Sequence, residues 1–278
     1  MNSLSGTLYV VGTPIGNLGD ISPRALETLE NCDFIAAEDT RVTLKLLNRF
    51  EIKKTMVSYF EHNRFERGPV IAERILLGEN CALVTDAGMP AISDPGEDLV
   101  KLCMEKGIRI ESVPGPCAFA TALAVSGMPS KRFTFEGFLP VEKSERKEHI
   151  SWLVGEMRTM IFYEAPHKLS QTLTDLYKAL GDREIAIVRE LTKIHEQVIK
   201  TTLSEASEKY SKEPVKGELV LIVKGADPEE KEDMTLEQAA EYAMKLVEKG
   251  ESKTQAAKLA AKESGLKKGD IYKILIEE

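Results

Sequence analysis

The sequence predicts an α/β fold: two α/β domains followed by a small helical tail. Three observations predict it. Short apolar runs alternate with segments of helical periodicity. Those runs end in stretches rich in Gly, Pro and polar residues. Near residue 226 the composition turns acidic and then lysine-rich. The 278 residues, 42% hydrophobic and 29% charged, are enough for two cores in a soluble globular protein. The boundaries expected are 1–125, 126–226 and 227–278.

In the first part, Thr7-Val11 reads as a strand that ends at Gly12. Ser22-Pro23 opens a helix, since Ser caps well and Pro suits the first helical position. Phe34-Ala37 is a second strand and Thr55-Phe60 a third. Val70-Leu77 is helical, Cys81-Gly88 a fourth strand, Glu97-Lys106 a helix, and Arg109-Val113 a fifth strand. Ala118-Val125 is a helix of small residues. This alternation calls for a largely parallel sheet.

The turn-rich break "SGMPSKR" (Ser126-Arg132) separates a second α/β part. There Phe133-Phe138, Met160-Tyr163, Ile185-Val188 and Glu218-Val223 read as strands, and Ile194-Thr202 as part of a β-hairpin. Lys147-Met157, Lys168-Leu180 and Glu205-Tyr210 read as helices. The acidic "ADPEEKED" is expected as a solvated linker. In the tail, two helical stretches flank Gly265, at helix-turn-helix spacing. Its lysines (Lys253, Lys258, Lys262, Lys267, Lys268, Lys273) form either a solvated face or a nucleic-acid contact.

Several function classes are disfavoured. Met1-Gly6 has neither a basic start nor an apolar core, so no signal peptide is expected. No apolar run approaches the roughly 20 residues of a membrane helix. The four cysteines form no CxxC pair and the four histidines are scattered, so no metal site is expected. A reduced, cytoplasmic setting fits such cysteine usage. The net charge of −8 argues against a generic polyanion binder but allows a local basic patch.

The strand ends carry the chemistry. In α/β sheets ligands bind beyond the carboxyl ends of strands. Here those ends read "GTPIGNLGD", "AEDTR", "TDAGMPAISDPG" and "PGPCA". The first is not a phosphate turn. Gly12, Gly16 and Gly19 do not spell GxGxxG, no GK[ST] follows, and Pro14 removes a backbone donor. A cofactor without phosphate, gripped by backbone and small side chains, fits better.

The motifs "LYVVGTPIGNLGDISPRALETL", "AEDTR", "DAGMPAISDPG", "PGP", "FEGFLP", "FYEAPHK", "RELTKIHE" and "KGELVLIV" occur in order from about Thr7 to Lys224. Together they resemble the RsmI group of the tetrapyrrole-methylase superfamily. The resemblance implies two α/β domains of the tetrapyrrole-methylase type with S-adenosylmethionine (SAM) in the interdomain cleft. It implies a homodimer that methylates the ribose 2′-oxygen of a decoding-centre cytidine in 16S rRNA of the small ribosomal subunit, with no metal. Carried onto this sequence, the cofactor residues are Pro14, Ile15, Gly16, Asp86, Ala87, Gly88, Ile92, Cys117 and Ala118. The second domain adds Tyr163, Glu164, Leu191 and Glu218. Met89 and Cys117 stand where many members have Thr or Ser, which weakens a side-chain bond but leaves backbone contacts.

Methyl transfer to a hydroxyl needs positioning and a route for the proton. Glu38, Asp39 and Arg41 sit at a strand end, and Glu38 or Asp39 is suited to hold the ribose or take its proton. The favoured bases are Asp39 and Glu190, with Arg41, Arg189 and Lys193 on phosphates. Alternatively Asp39 and Arg41 simply cap the following helix. Basic patches are expected at Lys131-Arg132, at Lys143-Arg146-Lys147 and in the tail. The competing readings are a methyltransferase of the same superfamily with a tetrapyrrole or protein side-chain acceptor, and a non-enzymatic nucleic-acid binder led by the tail.

Overall fold

The structure is a computed structural model that describes residues 5–227 and 234–277. The chain falls into two compact units, Met1–Ala226 and Asp227–Glu278. Residues 228–233, most of the expected acidic linker, lie outside the described residues.

The first unit opens with alternating strands and helices. They are β1 (Thr7–Val11), α1 (Pro23–Asn31), β2 (Phe34–Ala37), α2 (Thr40–Arg49) and β3 (Thr55–Ser58). Next come α3 (Arg64–Leu76), β4 (Cys81–Val84), α4 (Gly96–Glu105), β5 (Arg109–Val113) and α5 (Ala118–Ser126). The strands make one parallel sheet in the order β3-β2-β4-β1-β5. Side chains alternate across it. On β2, Phe34 and Ala36 face Ile71, Ile75 and Leu99, while Ile35 and Ala37 face Ala25, Leu29 and Leu47. With both faces covered, all four β2 residues are buried.

Local chemistry sets the helix starts. Ser22 accepts from the Ala25 N–H with Pro23 at the first helical position. Helix α3 departs from expectation, because it begins at Arg64 and runs through Pro69. A proline reads as a helix start, which is why the sequence places this helix from Val70. The earlier start is fixed by Asn63, whose side chain accepts from Phe60 N at 2.9 Å and donates to Ser58 O at 3.1 Å.

The second sheet is mixed. Its elements are β6 (Phe133–Phe138), α6 (Lys143–Trp152), β7 (Thr159–Glu164), α7 (Leu169–Leu180) and β8 (Glu184–Arg189). The chain continues through β9 (Gln197–Thr202), α8 (Leu203–Lys212) and β10 (Leu219–Val223). The order is β6-β7-β10-β8-β9, with β6 and β7 parallel and the other neighbours antiparallel. The short 190–196 connection makes β8 and β9 a hairpin. Helix α6 spans Lys143–Trp152 rather than Lys147-Met157, and its earlier start is set by the Glu142 carboxylate, which accepts from Ser144 N and Glu145 N.

Helix α5 follows the first sheet but packs on the second. Ala122 and Leu123 lie among Ile161, Ala186, Val188, Val220 and Ile222. Its small side chains permit that close approach. In the second unit α9 (Leu236–Glu248), α10 (Lys253–Ser264) and α11 (Lys268–Glu277) share a core of Ala239, Ala243, Ala256, Ala257, Ala260, Ile271 and Leu275. Gly265, at φ 73°, ends α10 in the left-handed conformation that a glycine cap adopts. Lys253 is not a free surface lysine, since its ammonium donates to the Leu275 carbonyl. Among the described residues no helix is long and apolar enough to cross a membrane.

Ala122 is fully buried against the second sheet. Ala122→Leu should overpack that contact and destabilise the protein by about 1–3 kcal/mol. A lower urea midpoint at unchanged slope is the expected reading.

Candidate functional site

Parallel pairing puts the carboxyl ends of β1, β2, β4 and β5 on one edge, and the loops there are locked together. Thr13 and Gly88 exchange backbone hydrogen bonds, at 2.9 Å and 3.1 Å. The Thr13 hydroxyl adds a bond to Thr85 O at 3.2 Å. Gly12 lies against Gly115 so closely that a β-carbon on Gly12 would sit 2.6 Å from the Gly115 Cα. Only paired glycines allow that approach. The loop after β4 is pinned by Asp94, which accepts from Gly96 N at 2.7 Å and Ala91 N at 3.0 Å. It holds Ala91 and Ser93 at φ 65° and 62°. Burial raises the Asp94 carboxyl above its ordinary value.

The second sheet supplies the opposite wall. Glu190 and Thr192 adopt φ 53° and 64°, in the left-handed region that non-glycine residues rarely occupy. The turn is held by Glu190 Oε1, which accepts from Glu218 N and from the Lys193 ammonium, both at 3.0 Å. The Lys193 ammonium, followed by the Glu218 N–H, lowers the Glu190 carboxyl below its ordinary value. Gly16 meets this turn: a β-carbon there would lie 2.7 Å from Lys193 Cγ and 2.9 Å from the Leu191 carbonyl oxygen. Phe119 and Phe135 stack at 4.6 Å, and Phe135 meets the Tyr163 ring edge-on at 4.9 Å. The Tyr163 hydroxyl accepts from Phe119 N at 3.2 Å, and burial pushes it up to about 12.

Between these walls lies a cavity of about 390 Å³, within the usual range for small-molecule sites. Ile15, Ala87, Gly88, Ile92, Cys117, Ala118, Tyr163, Glu164, Leu191 and Glu218, all expected from sequence, line it. Pro14, Gly16 and Asp86 do not line it. Gly16 contacts the Leu191–Lys193 turn instead, and Asp86 Oδ1 accepts from Asp39 N at 3.0 Å. Glycines 12 and 16 thus bring loops close to each other. The residues not expected include Thr85, Ser93, Asp94 and Phe138. The Asp-Pro-Gly run was the signal for Asp94, because such an aspartate bonds the backbone of its own turn.

The expected catalytic residues Asp39, Arg41, Glu190, Arg189 and Lys193 are absent from the lining. Asp39 caps α2, and Arg41 grips it with Nη2–Oδ2 at 2.6 Å and Nε–Oδ1 at 3.0 Å. Arg189 donates to Lys216 O at 2.7 Å. Glu38 does line the cavity. Its Oε2 accepts from the Thr85 hydroxyl at 2.5 Å and from Asp86 N at 3.3 Å. Its Oε1 has no hydrogen-bond partner among the described residues.

The charges in the lining share one sign. Glu38, Asp94, Glu164 and Glu218 are present, with no Lys, Arg or His among the described residues there. Glu164 is buried and accepts from Ala165 N at 2.8 Å and from the Thr172 hydroxyl. Such a lining repels phosphate and attracts a cation.

Residues 7–207 match the family Tetrapyrrole (Corrin/Porphyrin) Methylases. The chain belongs to this family. Among solved structures, that of the methyltransferase CobJ superposes with a TM-score of 0.61. That match has 18% identity and covers 80% of this chain and 95% of the other, a likeness of fold. At sequence level, the "Ribosomal RNA small subunit methyltransferase I" of Synechocystis sp. is 44% identical over 98% of each chain. The protein of that name from Thermotoga maritima is 46% identical, with 80% of this chain covering 100% of it.

The Asp39–Arg41 pair has a titration signature. The Arg41 guanidinium, and then the Arg41 N–H, lowers the Asp39 carboxyl to about 2. This depression favours the folded state above the ordinary carboxylate range and is lost as pH falls through about 2. Carbon-detected NMR should find Asp39 titrating near that value, and Arg41→Ala should return it toward an ordinary aspartate. Asp86, raised chiefly by burial and then by Glu38, should titrate above its ordinary value in both proteins.

Proposed function

We propose that this protein uses SAM to methylate 16S rRNA of the small ribosomal subunit, at the ribose 2′-oxygen of a decoding-centre cytidine. The observation that carries the reading is the carboxylate-lined cavity at the strand ends, in a chain related over nearly its whole length to small-subunit rRNA methyltransferases. When bound, SAM supplies an electrophilic methyl group on a positively charged sulfur. The residues present suit it. Ile15, Ile92 and Leu191 offer apolar walls, the backbone of Ala87 and the N–H of Ala118 offer polar groups, and the four carboxylates offer a favourable field for a cation.

In this reading Glu38 is the base. The bonds to Oε2 fix the carboxylate and leave Oε1 to accept the proton of an acceptor hydroxyl. Arg41, 87% exposed and anchored by Asp39, has an Nη1 unengaged among the described residues to offer an RNA phosphate. We propose further that the cleft divides the first unit into parts 1–125 and 126–226, and that the protein works as a cytoplasmic homodimer. The Thermotoga relative, matched over 222 residues, supports a first unit that carries the chemistry and a tail that is accessory.

Tritiated SAM with small subunits from a strain lacking this protein tests the reading. One labelled cytidine ribose is the expected product; label on a tetrapyrrole or a protein instead would refute it. Glu38→Gln keeps an acceptor for the Thr85 hydroxyl but removes the base. Its turnover should fall about 10²-fold or more, well beyond the loss of SAM affinity from removing one of the four carboxylates. Undiminished turnover would remove Glu38 from the role.

A further inference from the structure

The methyl-transfer cavity presents carboxylates, so it cannot hold the phosphates of a nucleic acid. With a net charge of −8, any polyanion must find a local site. A groove of about 780 Å³ between α6 and α7 has the opposite character. Helix α6 sorts its charges by period. Lys143, Arg146, Lys147, Ile150 and Ser151 fall on one face and line the groove, joined by Val154 just past the helix end. Glu145 and Glu148 are not in that lining. From the α7 side come Lys168, Gln171, Asp175 and Lys178, again at helical spacing.

The groove carries a surplus of positive charge. The acid in the lining, Asp175, accepts from Arg146 Nε at 2.8 Å and from Gln171 Nε2 at 2.7 Å. Arg146 donates with its other arm to the Thr172 hydroxyl at 2.7 Å. This pair is largely buried and structural. Lys143, Lys147, Lys168 and Lys178 have no ion-pair partner among the described residues. Four uncompensated ammonium groups therefore face one groove.

The groove adjoins the cavity. Beyond β6, Phe138 lines the cavity while Pro140 and Val141 line the groove. Beyond β7, Glu164, Ala165 and Pro166 line the cavity while Lys168 lines the groove. Both strand ends pass from one site to the other within two residues. We infer that the α6–α7 groove is a track for the phosphate backbone of a single-stranded stretch of the acceptor RNA, holding nucleotides next to the one that enters the cavity. The inference rests on the rRNA methyltransferase reading. Flexible ammonium groups suit the varied phosphate positions of a single strand, and the apolar floor of Ile150 and Val154 suits its sugars and bases.

The test combines Lys143→Gln, Lys147→Gln, Lys168→Gln and Lys178→Gln in the full chain. The probes are a short fluorescein-labelled single-stranded RNA and purified small ribosomal subunits, titrated across salt concentrations. The quadruple variant should keep its SAM affinity and melting temperature and bind RNA at least about tenfold more weakly. Its log–log salt slope should fall by about 0.7 for each phosphate that the variant no longer neutralises. The Lys143→Gln/Lys147→Gln pair gives the same readout at half strength should the quadruple variant fail to fold. Wild-type binding retained by the variant, with the same slope, overturns the track and leaves the enzyme reading standing. Abolished methylation with unchanged RNA binding also overturns it. A wild-type protein that binds no RNA and methylates no subunit overturns both.

Discussion

The paired hydrogen bonds between Thr13 and Gly88 are the constraint on which the site depends. A parallel sheet aligns its strand ends but does not order the loops beyond them. That bridge ties the loop after β1 to the loop after β4, and the contact of Gly12 with Gly115 ties in the loop after β5. Asp94 then gives the second of these loops a fixed shape. The wall is thus built from backbone, and its side chains are left for the cavity. Fixed polar groups of this kind need no reorganisation when a charge arrives.

The two sheets meet through α5. It leaves the last strand of the parallel sheet, presents Cys117 and Ala118 to the cavity at its start, and buries Ala122 and Leu123 on the mixed sheet. The cavity walls are therefore one packed body. Electrostatics divides the labour on its surface. The cavity at the strand ends is lined by carboxylates, and the groove beside it by lysines. A cationic cofactor and a polyanionic substrate are drawn to different places, so neither competes for the other's site.

Much of this was legible in the sequence, and the exceptions have physical causes. The central strands β1, β2 and β4 stood out because their residues are almost all apolar and buried on both faces, and the Gly/Pro loops marked the edge where the cavity lies. The start of α6 was hidden because glutamate is an uncommon helix cap, and that of α3 because Pro69 looked like a beginning. The choice between Glu38 and Asp39 turned on the bend that follows β2. There Glu38 is held by Thr85 and lines the cavity, while Asp39 caps α2. Which is which depends on register and on Thr85, far along the chain. Likewise Gly12 and Gly16 announced that the backbone comes close to something. Their partners, Gly115 and Leu191, belong to other loops, so the fold alone could name them.

Gly16 has a consequence for how this protein can vary. It is exposed, in a turn of the kind where sequences drift freely. Yet the space where its β-carbon would stand is taken by Lys193, Thr192 and the carbonyl of Leu191. Surface accessibility and freedom to mutate therefore part company at this position, which inherits the intolerance of a core residue while lying in water.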